Sequence, residues 1–593
     1  MCGICGSVSL KHSLTHEVSA MSEGIAHRGP DAKGLWNNSK VSFAHRRLSL
    51  IDLSPLGNQP MVSADGKLIL VFNGEIYNFQ EIRTELQSKG YVFRSGSDTE
   101  VVLYAYQEWG TKSFARFNGM FAIAMYDLVK DQVVLARDHA GIKPLYYHLS
   151  GDQFVFSSEV RGFKAVNPNW EKDENWEIRF LSFGFIPAPY TTLKDVFMLP
   201  KGSFLTLEIS DKIKSKLESF HQFRYTDTII SEKEALEQVR ETLLSAVNRH
   251  MVADAPLGIF LSGGIDSSLC ALIADHLGHQ DLNTLSITFD EATFSEEPYQ
   301  EIVLGRMKPH NHRAYKVDGS MFMDHLDDIF QAMDQPSWDG VNSYFISKCA
   351  QEAGLKAVLS GLGGDELFGG YPSFRRIGML NKLSGLPGFV KSLARFAPND
   401  AMARLGFLNA KTNYKDYLFL RGAFVPSTIA GLTDKSEKAV FESLGNLILS
   451  DYPKERDLNL AAYLESNIYM ENQLLKDTDY MSMWHSLEVR VPFLDKELME
   501  LMCRIKSSTK FNFSQPKYLL TKAFSDLLPD EIVFRKKQGF TFPFSIWLRN
   551  NMDHFKRLLP DTPETKRLVA GFLEGKVHWS RLWALMVWKK FNA

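Results

Sequence analysis

Two glycine-rich turns, each directly after a short apolar run, constrain the fold of this chain more than any other feature. Residues 257–261 lead into the first turn, and residues 266–277 have the pattern of a helix that follows it. Residues 285–289 form another apolar run, and residues 357–359 lead into the second turn. Strand, glycine turn and helix in repetition are typical of a parallel sheet with helices on both faces. Ligands of such sheets bind at the carboxyl ends of the strands, where both turns are expected.

The first 210 or so residues have a different pattern, in which Gly, Asn and Asp separate short apolar runs. This is typical of strands and turns. We predict strands at 67–72, 119–126 and 132–136, and helices at 78–89 and 98–109, the second of them capped by Asp98. Strands and helices without strict alternation predict a layered α+β domain.

A chain of 593 residues is too long for one hydrophobic core, so more than one domain is expected. Residues 208–232 are polar and are interpreted as the interdomain linker. Apolar residues recur at helical spacing directly after this stretch. We therefore predict an α+β domain over residues 1–212 and an α/β domain over residues 232–593, the last 200 residues of which are helix-rich.

The composition excludes some classes of partner and compartment. The formal net charge is -3 and no basic block is present, so neither nucleic acid nor an anionic membrane is an expected partner. No apolar run approaches the ~18 residues of a membrane span, and no signal peptide is visible. The five cysteines are too few and too scattered for a disulfide framework, which favours the cytoplasm. A homodimer is allowed for.

The first candidate site is the cysteine that follows the initiator residue. Removal of Met1 is expected, because a small residue follows it, and this would leave Cys2 with a free α-amine. That amine has a pKa near ~8 and can serve as the base for a thiol of pKa ~8.5. Cys2 and Cys5 also form a C-x-x-C pattern, but a zinc site needs a second pair and a redox motif usually begins a helix.

Other residues of this region suit the binding of an α-amino acid. Arg47 can hold a carboxylate, Asp98 can hold an ammonium group, and Asn73 with the Gly74 N–H can stabilise an oxyanion. Together with Cys2 this set closely resembles the class II, N-terminal-nucleophile glutamine amidotransferases over about residues 2–210. The resemblance implies a sandwich of two antiparallel sheets between helices. It also implies that the glutamine site consists of Cys2, Arg47, Asn73, Gly74, Glu75 and Asp98, with Cys2, Asn73 and Gly74 taking part in catalysis.

The second candidate site is the sequence S-G-G-x-D-S that begins at Ser262. Adjacent glycines let backbone N–H groups surround an anion, and the following helix adds partial positive charge. The loop lacks the lysine of a Walker A motif and resembles the pyrophosphate loop of ATP-pyrophosphatases. Asp266 could hold Mg²⁺ against the phosphates. The second turn carries Asp365 and Glu366, which offer hard oxygens to Mg²⁺ or to an ammonium group.

Residues 232–550, with the motifs at 476–479 and 487–495 and with Lys517, resemble the synthetase domain of asparagine synthetases and of the related β-lactam and carbapenam synthetases. The resemblance implies that Asp266 and Asp365 hold Mg²⁺ and that Lys517 neutralises charge as pyrophosphate leaves. The ATP and pyrophosphate site implied in this way consists of Leu261, Ser262, Gly263, Gly264, Asp266, Ser267, Ile287, Ser360 and Gly361.

One position departs from the family. Leu362 stands where well-studied asparagine synthetases have Glu and the β-lactam relatives have Tyr. The expected reaction forms an amide from glutamine, ATP and a carboxylate, with aspartate as the first candidate acceptor. The alternatives are another carboxylate, such as a sugar acid or a peptide, a non-catalytic relative that keeps the fold, and a redox protein using Cys2 and Cys5.

Overall fold

Two six-stranded antiparallel sheets pack face to face in the first 220 residues. The structure, a computed structural model, describes residues 2–308, 310–393, 400–537, 539 and 541–592. The strands of these sheets are β1 Gly3–Ser9, β2 Ala32–Asn37, β3 Val41–Arg47, β4 Met61–Val62, β5 Leu68–Ile76, β6 Gly119–Asp127, β7 Gln132–Arg137, β8 Tyr146–Ser150, β9 Gln153–Ser157, β10 Phe197–Met198, β11 Ser203–Ile209 and β12 Ile213–Ser219. Their spatial orders are β10-β8-β9-β1-β3-β2 and β12-β11-β7-β6-β5-β4.

Helices cover the outer face of each sheet. They are α1 Thr15–Gly24, α2 Phe79–Ser88, α3 Asp98–Trp109 and α4 Arg161–Val166. The next helix, α5 Trp176–Phe183, packs instead against helices of the second half of the chain. Ile4 and Phe43 of the first sheet meet Val71 of the second in the core between the sheets. Because strand side chains alternate, Cys5 points the other way, toward α1. The predicted sandwich of antiparallel sheets between helices is confirmed.

A five-stranded parallel sheet follows, in the order β15-β14-β13-β16-β17. Its strands are β13 Leu257–Phe260, β14 Asn283–Thr288, β15 Asn311–Lys316, β16 Ala357–Leu359 and β17 Glu488–Arg490. The chain moves outward from β13 to β15 and then returns to the other side of β13. Such a reversal of strand order is where ligands of open parallel sheets bind. Both glycine turns lie there, as predicted.

The remainder is helical, which confirms the predicted helix-rich C-terminal part. The helices are α6 Glu232–His250, α7 Ile265–His276, α8 Glu297–Leu304, α9 Gly319–Asp324, α10 Leu326–Ala332, α11 Val341–Glu352, α12 Gly364–Phe368, α13 Pro372–Ser384, α14 Gly388–Leu393, α15 Asp400–Ala403, α16 Lys415–Arg421, α17 Pro426–Thr433, α18 Glu437–Gly445, α19 Leu458–Leu464, α20 Leu475–Trp484, α21 Lys496–Arg504, α22 Ser507–Lys510, α23 Tyr518–Ala523, α24 Asp530–Val533, α25 Phe544–Asn550, α26 Met552–Leu558, α27 Pro563–Leu573 and α28 Trp579–Asn592. Within the described ranges, no helix is both long and apolar enough to cross a membrane.

The linker prediction is wrong for part of its length. Residues 213–219 form β12, which pairs with β11 at the edge of the second sheet. Residues 214–217 are exposed to solvent. This edge strand is therefore polar, as a solvent-exposed linker would be. Its sequence therefore lacks the alternation that reveals strands with one buried face.

Candidate active site

Cys2 lies directly before β1, where its backbone nitrogen donates a hydrogen bond of 2.9 Å to Asn73 Oδ1 on β5. The side chain is buried, and burial raises the pKa of the thiol above its usual range. Cys5 is fully buried on the opposite face of the strand, where its Sγ lies 3.6 Å from the carbonyl oxygen of Val18. The two cysteines therefore do not form a C-x-x-C site. No cluster of metal-binding side chains of the required size occurs among the described residues.

Two polar groups beside Cys2 suit the stabilisation of an oxyanion. Asn73 Nδ2 is buried and has no hydrogen-bond partner in the described part of the chain, while Oδ1 of the same side chain is held by Cys2. The next residue on the strand is Gly74, and a Cβ there would overlap the carbonyl oxygen of Met120. Glycine is required by this close approach of β6. A buried amide donor without a partner costs free energy unless a ligand meets it.

Arg47 lines the same cavity as Cys2, but its hydrogen bonds go to the loop that follows it. Nη1 donates to the carbonyl oxygen of Ser54 at 2.7 Å and to Asn58 Oδ1 at 2.9 Å, and Nη2 donates to the carbonyl oxygen of Asp52. The guanidinium group therefore shapes the wall of this cavity as well as lining it.

Asp98 and Glu75 place two buried carboxylates at the other side of this cavity. The predicted capping role of Asp98 is wrong, because Ser97 accepts the bond from Thr99 N and caps α3. Asp98 is instead the first residue of the helix, and its Oδ2 accepts a hydrogen bond from Ile76 N at 3.0 Å. Burial raises its pKa to about 6. Burial also raises the pKa of Glu75, whose Oε2 lies 3.2 Å from Arg490 Nη2.

This first cavity has a volume of about 30 Å³. It brings together Cys2, Arg47, Gly74, Glu75 and Asp98 of the predicted glutamine site. Asn73, the remaining residue of that prediction, does not line the cavity but accepts the hydrogen bond from Cys2 N. Phe72 also lines the cavity. Its other lining residues are Leu48, Leu50, Ile51, Gly57, Gln59, Ser97 and Thr99.

A second cavity, of about 250 Å³, lies at the two glycine turns. Gly361 packs against the start of α7, where a Cβ would lie 2.7 Å from Asp266 Cβ and from Ser267 N. The turn at 360–364 is therefore pressed onto the loop at 262–267. Of the predicted ATP-site residues, those that line this cavity are Leu261, Ser262, Gly264, Asp266, Ser267, Ile287, Ser360 and Gly361. Gly263 does not line it, but its φ of +72° shapes the loop.

Lys517 joins the two turns. Its Nζ contacts Asp266 Oδ2 and lies 2.6 Å from Asp365 Oδ1. Burial alone would favour neutral Asp365, but Lys517 and Lys537 outweigh it and lower its pKa to about 2. The Lys537 ammonium, 2.7 Å from Asp365 Oδ1, had no signal in the sequence analysis. Lys517 has a left-handed backbone with φ of +47°, which is costly for a lysine.

The carboxylates at the two turns suit a magnesium ion bound to nucleotide phosphates. Asp266 Oδ1 is buried and has no hydrogen-bond partner in the described ranges. Mg²⁺ is commonly held by one or two carboxylates together with substrate phosphates, so Asp266 and Asp365 provide a fitting donor set. Burial raises the pKa of Asp266, and the positive charge of Lys517 opposes this.

Leu362 lines the same cavity, together with Asp477 of the 476–479 motif and with Asp339, which the sequence analysis did not select. Asp477 accepts hydrogen bonds from Ser337 Oγ, at 2.8 Å, and from Gln473 Nε2. Burial raises the pKa of both carboxyl groups. A neighbouring cavity of about 350 Å³ shares Asp339 and Asn342 with the cavity at the glycine turns. It is lined further by Trp338, Arg404, Arg421, Gly422, Tyr469, Thr541, Phe544, His578, Trp579, Ser580 and Arg581.

Buried ion pairs join the two halves of the chain. Arg28 Nε donates to the carbonyl oxygen of Cys2 at 3.1 Å, and Nη1 bridges Glu159 and Asp479 at 2.7 Å each. Arg137 Nη1 lies 3.2 Å from Glu471 in a second such contact. Asp479 belongs to the motif at 476–479, but nothing in that motif shows that it forms a pair with Arg28.

Comparisons with known proteins assign both parts of the chain. Residues 1–220 match the family described as glutamine amidotransferase domain, and residues 238–588 match the family described as asparagine synthase. Asparagine synthetase (glutamine-hydrolyzing) 1 of Bacillus subtilis is 32% identical over 95% of this chain and 90% of its own length. Asparagine synthetase (glutamine-hydrolyzing) 3 of the same organism is 30% identical over 91% of this chain and 87% of its own length. Amidase chry2 of Gibberella zeae is 26% identical over 90% of this chain and 86% of its own length.

Proposed function

Because the chain belongs to the family of glutamine-hydrolysing asparagine synthetases, we propose that it takes ammonia from glutamine and forms an amide with it at the expense of ATP. The observation that supports this proposal is that the chain contains two separate cavities lined by polar side chains, one at Cys2 and one at the two glycine turns. In one, Cys2 lies beside the Asn73 amide, whose Nδ2 has no hydrogen-bond partner among the residues that the structure describes. In the other, Lys517 joins the two glycine turns. We place the enzyme in a reducing cytoplasm, since all five cysteines are free, buried thiols.

In the first site, the nitrogen of Cys2 would act as the base once Met1 is removed. The amine takes the thiol proton as Sγ attacks the side-chain carbonyl of glutamine, and the Asn73 amide and the Gly74 N–H stabilise the oxyanion. The C–N bond breaks with proton return from the amine, which releases ammonia and leaves a thioester. Water then releases glutamate. Arg47 would hold the carboxylate of glutamine, and Asp98 with Glu75 its ammonium group.

In the second site, an oxygen of the acceptor carboxylate would attack the α-phosphorus of ATP, and pyrophosphate would leave. The 262–267 loop binds the leaving phosphates through backbone N–H groups. Asp266 and Asp365 would hold the Mg²⁺ that arrives with ATP, which neutralises phosphate charge. Lys517 would compensate the charge that grows as pyrophosphate departs. Ammonia then attacks the acyl carbon and AMP leaves, giving the amide.

Aspartate is the first acceptor that we propose. The synthetase pattern is nearly complete, and Asp339 and Asp477 offer carboxylates to a substrate ammonium group in the cavity where Leu362 stands. Because these carboxylates line the same cavity as Ser360 and Gly361 of the second glycine turn, they support an acceptor that carries an ammonium group.

A larger carboxylate, such as a sugar acid or a peptide, is the second candidate. The cavity of about 350 Å³ beside the nucleotide cavity favours it, because Trp338, Tyr469 and Trp579 present aromatic surface there. Leu362 cannot hold an ammonium group as a carboxylate would, so an acceptor without an ammonium group, such as a sugar acid, suits this position.

The test is amide formation by the purified chain with glutamine, ATP, Mg²⁺ and aspartate, followed by mass spectrometry. Asparagine, AMP and pyrophosphate in equal amounts support the first candidate. Glutamine hydrolysis without asparagine rejects aspartate, and a screen of carboxylates for pyrophosphate release then identifies the acceptor. Absence of pyrophosphate release with every carboxylate and with ammonia would contradict the proposed ligase activity.

A further inference from the structure

Arg490 is a fully buried arginine that the proposed reaction does not use. It lies at the end of β17, the outer strand of the parallel sheet, on the side of β16 away from β13. Its side chain reaches toward the first 220 residues, and its backbone belongs to the sheet edge at which the nucleotide cavity lies. A charged side chain in such a place is expensive unless each of its donors is used.

The guanidinium group makes four hydrogen bonds. Nε donates to Glu488 Oε1 at 2.7 Å, and Nη1 donates to the carbonyl oxygens of His250 and Val252 at 2.8 and 2.6 Å. These three bonds fix the group within the second half of the chain. The fourth runs from Nη2 to Oε2 of Glu75 at 3.2 Å, and Glu75 lines the glutamine cavity.

The backbone of the same residue reaches the nucleotide cavity. Arg490 pairs with Leu359 of β16, and its carbonyl oxygen accepts a hydrogen bond of 2.8 Å from Ser360 N. Ser360 and Gly361 line the nucleotide cavity, and Ser360 Oγ accepts a bond from Leu362 N. A displacement of this turn therefore moves the Arg490 backbone, and with it the partner of Glu75.

A second contact ties the other wall of the glutamine cavity to the same sheet. The carbonyl oxygen of Leu50 accepts hydrogen bonds from Asp254 N at 2.9 Å and from Ala255 N at 3.3 Å. These residues come directly before β13, which leads into the pyrophosphate loop. Two lining residues of the glutamine cavity, Glu75 and Leu50, are thus hydrogen-bonded to β17 and to the segment before β13, respectively. Both of these strands end at the nucleotide cavity.

We propose that Arg490 is a positioning residue that couples the nucleotide turn at Ser360 to the carboxylate of Glu75 in the glutamine cavity. This inference rests on the proposed function. Nucleotide bound against the turn would hold β17 in place, so that Arg490 keeps the Glu75 carboxylate directed at the ammonium group of glutamine. Binding of nucleotide and of glutamine would then favour each other by the same factor.

The experiment measures the glutamine KM of the glutaminase reaction without nucleotide and with saturating MgATP. In the unchanged enzyme MgATP is expected to lower this KM by about fivefold, the low end of known coupling factors. Arg490→Lys keeps the charge, but a lysine ammonium cannot make the four hydrogen bonds of the planar guanidinium group. The ratio of the glutamine KM without nucleotide to that with MgATP should therefore fall below about twofold. Its ammonia-dependent pyrophosphate release should remain, which separates failure of the coupling from failure of the ligase activity.

Arg137→Lys is the matched control, because Arg137 is also a buried interdomain arginine but contacts neither turn. It should leave the KM ratio unchanged. If Arg490→Lys does not fold, Glu75→Gln provides the second variant, since its own effect on KM cancels in the ratio. The proposal is overturned if the KM ratio is unchanged in the variant that folds, or if Arg137→Lys lowers this ratio as much. It is also overturned if MgATP has no effect on the glutamine KM of the unchanged enzyme.

Discussion

At the scale of single residues, the contact between the Cys2 nitrogen and the Asn73 carboxamide determines what the first site can do. Asn73 Oδ1 accepts from that nitrogen at 2.9 Å, which leaves Nδ2 directed elsewhere and without a partner in the described ranges. The same side chain can thus orient the base and stabilise the oxyanion. The raised pKa of the buried Cys2 thiol makes this nearby base necessary.

Cys2→Ala is expected to abolish glutamine hydrolysis and to leave ammonia-dependent amide synthesis intact, because the second site is separate. Glutamate release and pyrophosphate release, measured side by side, check this. Cys5→Ala is the control, since Cys5 lies on the opposite face of β1 and should retain both activities. Intact mass of the active enzyme should begin at Cys2, and retained Met1 would contradict the role of the amine.

The glutamine KM should depend on pH through Asp98. Burial raises the pKa of this carboxyl group to about 6, so it is ionised above pH 6 and neutral below. A neutral group cannot hold the ammonium of glutamine, and KM should rise about tenfold per unit as pH falls below 6. Asp98→Asn should have a high KM without this dependence. A flat KM between pH 5 and 7 in the unchanged enzyme would refute it.

Lys517 is expected to act on the rate and not on ATP binding. The charge it compensates grows as pyrophosphate leaves, so Lys517→Ala should lower kcat by about 10²- to 10³-fold. Fluorescent-nucleotide binding and pyrophosphate release separate the two effects. Lys537→Ala, at a half-exposed lysine on the same carboxylate, should lose less than about tenfold. Loss of ATP binding in Lys517→Ala would make this lysine a ground-state ligand.

At the scale of elements, the two glycine turns work as one unit because the second is packed onto the first. Gly361 leaves no room for a side chain against Asp266 and Ser267 at the start of α7. The position of that helix start sets the direction of the backbone N–H groups in the pyrophosphate loop.

Gly361→Ala should therefore displace the turn and weaken ATP binding. Insertion of a methyl group into such a contact costs about 1–3 kcal/mol, or roughly 5- to 150-fold in the ATP KM. Glutamine hydrolysis without nucleotide should persist. Gly378→Ala is the control, because a Cβ there meets no atom of the described residues within 4 Å. An equal change in both variants, or none in Gly361→Ala, would contradict this packing argument.

At the scale of the whole molecule, buried ion pairs hold the two halves together. Arg28 has no exposed surface and bridges Glu159 of the first half to Asp479 of the second. Because it also donates to the carbonyl oxygen of Cys2, the same side chain fixes the residue that is to act as nucleophile. Removal of Arg28 would leave buried Asp479 without its ion-pair partner, while Glu159 keeps its contacts with His27 and Arg161.

Arg28→Met should destabilise the protein by about 3–5 kcal/mol and should impair both activities. Differential scanning calorimetry is expected to show separate unfolding of the two halves at lower temperature. Arg240→Met removes an ion pair with Asp526 that is partly exposed, and it should cost less than about 1 kcal/mol. A single transition at the original temperature in Arg28→Met would show that the halves are held by other contacts.

The sequence by itself determined the parallel sheet and the positions of its glycine turns. Alternation, glycine turns and helical spacing are local properties, so β16 and α3 have the bounds that they predicted. Both candidate sites could be selected from short motifs for the same reason, and their chemical roles remain predictions. The αββα arrangement rested on resemblance, because local pattern predicted only layered strands and helices.

Only the tertiary structure decided which residues meet across long separations. Arg28 and Asp479 are 451 positions apart, and Arg490 and Glu75 are 415 apart. Nothing local distinguishes these side chains from solvated charges, because one partner in each of these contacts comes from the other half of the chain. The edge strand β12 was missed because its polar, exposed face has no apolar period. Local patterns report what a segment buries, whereas pairing depends on how the complete chain packs.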